Sequence, residues 1–269
     1  MQYREIKPSV LLSDLVDRYW SIESDASTEA EVEPVLPDGC PEIVFNLADR
    51  FQRIPTYGEV ETQSSAIVSG QLRRRILIKP TGRVDLFGVR FRPHAAYGIL
   101  GVGMSTLTDH VLPLSDVMGR SSDEIEARIH EAEGFEERIA VVESILIAKL
   151  AGLNGDFAIA GGLTGMISSS DDRMTVRELV DRSGVGERRI ERIFAKHVGV
   201  SPKMFTRIVR FSGVVRSIEA ADSFGLLDTA LSFGYYDQSH MIHEFNEFAG
   251  TSPRGYFEAT HRLSELFTS

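Results

Sequence analysis

Apolar residues change their spacing along this chain of 269 residues, and each change marks a different kind of element. Up to residue 91 they come in short β-branched and aromatic runs bounded by Gly, Pro or Asp: Glu42-Ile-Val-Phe-Asn-Leu, Ala66-Ile-Val-Ser, Arg75-Ile-Leu-Ile-Lys and Val84-Asp-Leu-Phe-Gly-Val-Arg-Phe. Such runs predict strands, here forming a small, mostly antiparallel sheet. After Pro93 the period lengthens. Residues 95–100 and 122–130 read as helices, and 136–150 carries apolar residues at 139, 142, 145, 146 and 150, a helical period that closes a first domain. Small residues punctuate 151–155, and Asp156 is the predicted N-cap of a helix to about Ser168.

From Thr175 the pattern is all-helical. Val176, Leu179 and Val180 form a short stripe, Gly184 supplies a turn, and Ile190, Ile193 and Phe194 form a second stripe, which together predict a helix-turn-helix. Pro202 opens a helix with Phe205, Ile208, Val209, Phe211, Val214, Val215 and Ile218 on most of its sides, so it should be buried. A second unit follows: a helix from Leu226 to Phe233, a turn at Gly234, Asp237 as N-cap, Met241, Phe245 and Phe248 inward, and a closing helix from Pro253.

The two units are copies. Val-Gly-Val-Ser-Pro at 198–202 returns as Ala-Gly-Thr-Ser-Pro at 249–253, an offset of 51 residues. The same offset pairs Phe194 with Phe245, Ile190 with Met241, Val180 with Leu231 and Phe205 with Tyr256, so the apolar positions repeat with the glycines. The expected fold is therefore α+β. Residues 1–152 form a sheet-plus-helix domain, and 153–269 an all-α module of about seven helices. Within it, helix-turn-helix units at about 175–197 and 226–248 are joined by a long buried helix at about 202–219.

Charge complicates the partner. A net charge of −10 argues against nucleic acid, but it is unevenly spread: residues 173–216 hold 11 basic and 4 acidic residues, +7, whereas 217–269 hold 2 and 8, −6. With Ile190, Ile193 and Phe194 inward, Arg188, Arg189, Glu191, Arg192 and Lys196 project outward, as for a helix entering a DNA major groove. A solvated basic face is the alternative reading. The single cysteine, Cys40, excludes an internal disulfide. No apolar leader opens the chain and no run of 18 uncharged apolar residues occurs, so a cytoplasmic protein is expected, with no membrane partner.

The run from Thr175 to Phe194, Gly199-Val-Ser-Pro-Lys, Ala230-Leu-Ser-Phe-Gly-Tyr-Tyr-Asp-Gln-Ser-His-Met, Phe245 and Gly250-Thr-Ser-Pro resemble the AraC-type DNA-binding domain of bacterial transcription regulators, over roughly 156–263. The resemblance implies base-reading or phosphate roles for Arg188, Arg189, Glu191 and Arg192 in the first copy, and for Gln238, Ser239, Ile242 and His243 in the second. Two positions depart from the family: Gly186 stands where Ser is usual as N-cap, and His243 where Arg is common. No Lys or Arg occurs from 217 to 253, so the first copy is expected to supply most of the affinity and salt dependence.

In front, Leu15-Val-Asp-Arg-Tyr-Trp, Leu36-Pro-Asp-Gly-Cys-Pro-Glu-Ile-Val-Phe-Asn-Leu and Phe87-Gly-Val-Arg-Phe-Arg-Pro are similar to an uncharacterised domain that often precedes such modules. Leading domains of the family sense small molecules or mediate dimerisation.

The expectation is thus a non-catalytic regulator without cofactor or metal. Its partners would be promoter or operator DNA, a small-molecule effector and, for an activator, RNA polymerase, and it would act as a monomer or homodimer. Two alternatives stay open: an enzyme or alkylation or redox sensor using Cys40, Asp38 or Glu42, or a constitutive binder with a dimerising front domain. The remaining signals have plainer readings. His240 and His243 with Glu244 offer too few ligands for a metal, Gly101-Val-Gly103 reads as a loop, Arg73 to Arg75 as a solvated hairpin, and Trp20 as core.

Overall fold

The computed structural model describes residues 2–25, 31–55, 58–153, 155–170, 174–220 and 225–259. Among the described residues the front part builds ten strands: β1 Gln2–Ile6, β2 Val16–Ser24, β3 Glu33–Val35, β4 Glu42–Asn46, β5 Gln52–Ile54, β6 Glu61–Thr62, β7 Ala66–Ser69, β8 Ile76–Lys79, β9 Val84–Phe91 and β10 Val111–Pro113. They form two antiparallel sheets in place of the single small one expected, with orders β1-β2-β9-β4-β7-β10 and β3-β8-β5-β6. The expectation missed β2 for a physical reason. Tyr19, Trp20, Ser21 and Ile22 are buried in succession because both faces of the strand are covered, which erases the polar–apolar alternation that marks a half-exposed strand.

Side-chain parity divides the larger sheet. Tyr19, Ile43, Phe45, Val68, Phe87, Val89 and Phe91 face one way, into a core closed by helices α1 Ala96–Leu100, α2 Leu114–Met118, α3 Ser121–Glu131 and α4 Phe135–Leu150. Trp20, Ile22 and Leu86 face the other way, toward Ile78 of the smaller sheet and Phe51 just before β5. Trp20 pairs across the ladder with Gly88, where a Cβ would stand 2.0 Å from the indole. The ring lies where a side chain on β9 would otherwise be. Gly88→Ala should therefore cost about 1–3 kcal/mol by overpacking, checked by urea unfolding; an unchanged midpoint would contradict this packing.

The back part holds seven helices among the described residues: α5 Gly155–Ser168, α6 Val176–Ser183, α7 Glu187–Ile193, α8 Pro202–Glu219, α9 Leu226–Ser232, α10 Gln238–Ala249 and α11 Pro253–Glu258. Helix α7 continues into a π-helical turn, Phe194–Val198. The fold is α+β, strands in front and helices behind.

The sequence repeat is repeated geometry. Gly199 and Gly250 both take a left-handed backbone at a helix end, with φ of 99° and 63°. Ser201 and Ser252 follow as N-caps, accepting from the amides of Met204 and Gly255, and Pro202 and Pro253 open the next helices. Ile190, Phe194, Phe205, Met241, Phe245 and Tyr256 are buried in one core. Two expectations are corrected. Leu231 is 52% exposed, so the pairing with Val180 does not extend to burial. Asp156 lies inside the first turn of α5 rather than capping it. Among the described residues no helix is long and apolar enough to cross a membrane.

Candidate DNA-reading surface and its docking on the front domain

Thr175 sets the start of α6 by a capping box: its hydroxyl accepts from the Glu178 amide, and the Glu178 carboxylate accepts from the Thr175 amide. Gly184 ends the helix in the left-handed region, φ 67°, and α7 begins after Gly186, which offers no side-chain cap. Because Ile190 and Ile193 are drawn into the core, Arg188, Arg189, Glu191 and Arg192 are left exposed on one side of α7. Arg189 reaches back to Asp156, Nη2 to Oδ1 at 3.1 Å. Among the described residues Arg188 and Arg192 have no ion pair.

Lys196 is not a solvent-facing cation as expected. The π turn rotates it onto the front domain, where its Nζ stands 4.7 Å over the Tyr97 ring and the following His197 packs 4.6 Å from the same ring.

In the second copy Asp237 caps α10 by accepting from the His240 amide at 2.8 Å. Ser239 and His243 are exposed, and Gln238 and Ile242 half-buried, on the face opposite Met241, Phe245 and Phe248. Glu244 faces inward, 2% exposed, and is held by three partners: Arg207 Nε at 2.7 Å, Arg210 Nη2 at 2.7 Å and the Tyr235 hydroxyl at 2.9 Å. Arg207 also bonds Glu247 at 2.6 Å. The +7 and −6 halves of the sequence thus partly cancel inside the fold: two of the first half's arginines neutralise carboxylates of the second copy. Glu244, so engaged, is no metal ligand for His240 and His243.

The helical module rests on the front domain at both repeat glycines. At Gly199 a Cβ would stand 2.7 Å from the Met104 carbonyl oxygen, and the Thr108 hydroxyl donates to the Gly199 carbonyl at 2.7 Å. At Gly250 a Cβ would stand 2.6 Å from Arg75 Nε, and the Arg75 amide donates to the Phe248 carbonyl at 2.8 Å. Arg75 is therefore a domain clasp, not part of a solvated hairpin, while Arg73 pairs with Asp109 at 2.6 Å. A third contact comes from the loop before β4, where Gly39, φ +87°, lies against Phe205 and Ile208, and Leu36 joins the helical core. His94 is buried against Phe157 and Gly161 of α5; burial, with His197 nearby, pushes its pKa down to about 4 and keeps it neutral.

Between the two sheets runs a half-open slot of about 90 Å³, walled by Trp20, Leu36, Val44, Phe51, Ile67 and Leu86 among others. Arg90 lies at its polar end, 8% exposed, with Nη1 2.6 Å from Asp38 and 2.9 Å from Glu42. The sequence named both carboxylates but missed Arg90; the signal was a charge inside the apolar run Val84–Phe91. The adjacent Cys40 is half-buried, and burial pushes its thiol up to about 12.

Two stretches of the chain match families of known proteins. Residues 4–113 match a family described as a domain of unknown function (DUF6597), and residues 179–259 match a helix-turn-helix domain family. No curated protein sequence matches at a significant level. Among solved structures, ToxT from Vibrio cholerae O395 is similar at 9% identity and a TM-score of 0.49, covering 89% of this chain and 96% of its own. Wild-type ToxT from Vibrio cholerae strain SCE256, with unsaturated fatty acid bound, is similar at 10% and 0.47, covering 87% and 96%. The chain thus carries a helix-turn-helix domain, of AraC type, behind a domain of unknown function.

Proposed function

We propose that the front domain, 1–152, receives a small molecule in the inter-sheet slot and transmits its presence to the DNA-reading module, 153–269, through a shared wall. In this reading Arg188, Arg189, Glu191 and Arg192 of α7 enter one major-groove segment, where arginine makes bidentate contacts to guanine edges. Gln238, Ser239, Ile242 and His243 of α10 enter the next. Lys196 joins the DNA contact only when the module leaves Tyr97. The chain acts without catalysis, in the cytoplasm, as a monomer or homodimer, with RNA polymerase as a further partner where it activates. A catalytic front domain has less support, because a thiol kept protonated by burial is a poor nucleophile.

The observation that carries this reading is the double role of the slot wall. Leu36 lines the slot and belongs to the helical core, and Ile76 lines it beside Arg75, which holds the end of α10. A ligand that displaces either residue disturbs the footing of the module. It biases DNA binding only if it binds the two arrangements unequally. Such coupling is typically about 1–3 kcal/mol, roughly 5-fold to 150-fold in affinity.

Val35→Trp, which fills the slot from β3, tests it. With the full-length protein and a genomic fragment selected by the unaltered chain, DNA affinity should shift by at least about fivefold. An indole that enters the slot while DNA affinity stays unchanged would contradict the proposal.

A further inference from the structure

We propose that the slot takes a ligand with an apolar body and a cationic head group, the head being received by Glu42 and Asp38; this rests on the reading of the slot as the effector site. The apolar body follows from the walls, where Trp20, Phe51, Ile67 and Leu86 supply most of the surface. The sign of the head group follows from the polar end. Among the described residues, Arg90 is the only Lys or Arg that lines the slot, and it already serves both carboxylates through one nitrogen. With both carboxylates ionised, the set carries one negative charge more than it balances.

An anionic head would face two carboxylates, and drawing Arg90 away from them would leave a carboxylate buried without its partner, which is strongly unfavourable. A cationic head completes the set as a second cation for two carboxylates.

Glu42 carries a further mark of such a site. Burial, together with Asp38, raises its pKa to about 7 against the opposing pull of Arg90. The charged and titratable groups around it are Arg90 on β9, Arg18 and Asp17 on β2, and Asp38 and Cys40 on the preceding loop. A cation favours the ionised carboxylate, so binding expels a proton from the fraction of Glu42 that is neutral, and affinity should rise as pH rises from 6 to 8.

Trp20, the only tryptophan, lines the slot and reports on it. The full-length chain would be titrated with octylammonium, octanoate and octan-1-ol while its emission is followed. Octylammonium should bind at least about tenfold more tightly than either of the others, as for a charge-assisted bond in a desolvated site, and more tightly at pH 8 than at pH 6. Glu42→Gln should remove that preference, with Asp38→Asn as a second variant. Octanoate or octan-1-ol binding as tightly as octylammonium would overturn the head-group assignment while keeping the slot as a ligand site. No saturable response to any of the three would overturn both.

Discussion

Glu244→Ala is expected to destabilise the helical module by about 3–5 kcal/mol, the usual cost of removing one partner from a buried charge cluster. The substitution leaves Arg207 and Arg210 facing each other without their shared carboxylate and takes the acceptor from the Tyr235 hydroxyl. Both arginines also lie over rings, Arg207 on Phe248 and Arg210 on Tyr235, so neither can leave without unpacking α8 from α10. Burial by itself would raise the Glu244 pKa, but the hydrogen bonds and charges of Arg207 and Arg210 outweigh it and hold the carboxyl below its ordinary value of 4.5. With the folded value depressed, the stabilisation is complete above the unfolded value and fades as pH falls through the folded one. Urea unfolding near neutral pH should show the full loss for Glu244→Ala and a smaller one below pH 4. A loss under about 1 kcal/mol near neutral pH would mean that the cluster does not hold the two copies together.

Removing Arg188 and Arg192 together should weaken binding to a specific site by about 2–6 kcal/mol, taking roughly 1–3 kcal/mol for each arginine that reads a base. These two are the exposed cations of α7 outside any ion pair among the described residues, whereas Arg189 is tied to Asp156. His243→Ala should cost less than the loss of the arginine pair, since no Lys or Arg occurs from 217 to 253 to hold the second copy on phosphates. The asymmetry of the two copies, reduced overall by the pairing of Arg207 and Arg210 with Glu244, survives on the reading helices themselves. Titrations of the three proteins on one DNA fragment check it. Equal losses for the arginine pair and for His243 would sink the unequal-grip account.

The helical module was legible in the sequence because its signals are local. Apolar spacing placed the core faces of α7 and α10, and the echo of Gly199 in Gly250 marked two left-handed helix ends that only a residue without Cβ adopts easily. What those glycines touch was not legible, since Met104, Thr108 and Arg75 are distant in the chain. The same limit hid the fate of Lys196 and the cross-copy role of Arg207 and Arg210. Outward projection could be inferred from a helical period, but not the neighbour that meets the side chain. In the front domain, strands covered on both faces lost their alternation. The slot became visible only once parity put Trp20, Glu42 and Arg90 on one face of a sheet.

Footprinting of the full-length protein on genomic promoter fragments tests the central claim most directly. Two protected segments about 10 base pairs apart on one face of the DNA are expected, one for each reading helix. Protection over the segment read by α7 should vanish in the variant lacking Arg188 and Arg192. No protection at all, or protection that this variant retains, would contradict the account.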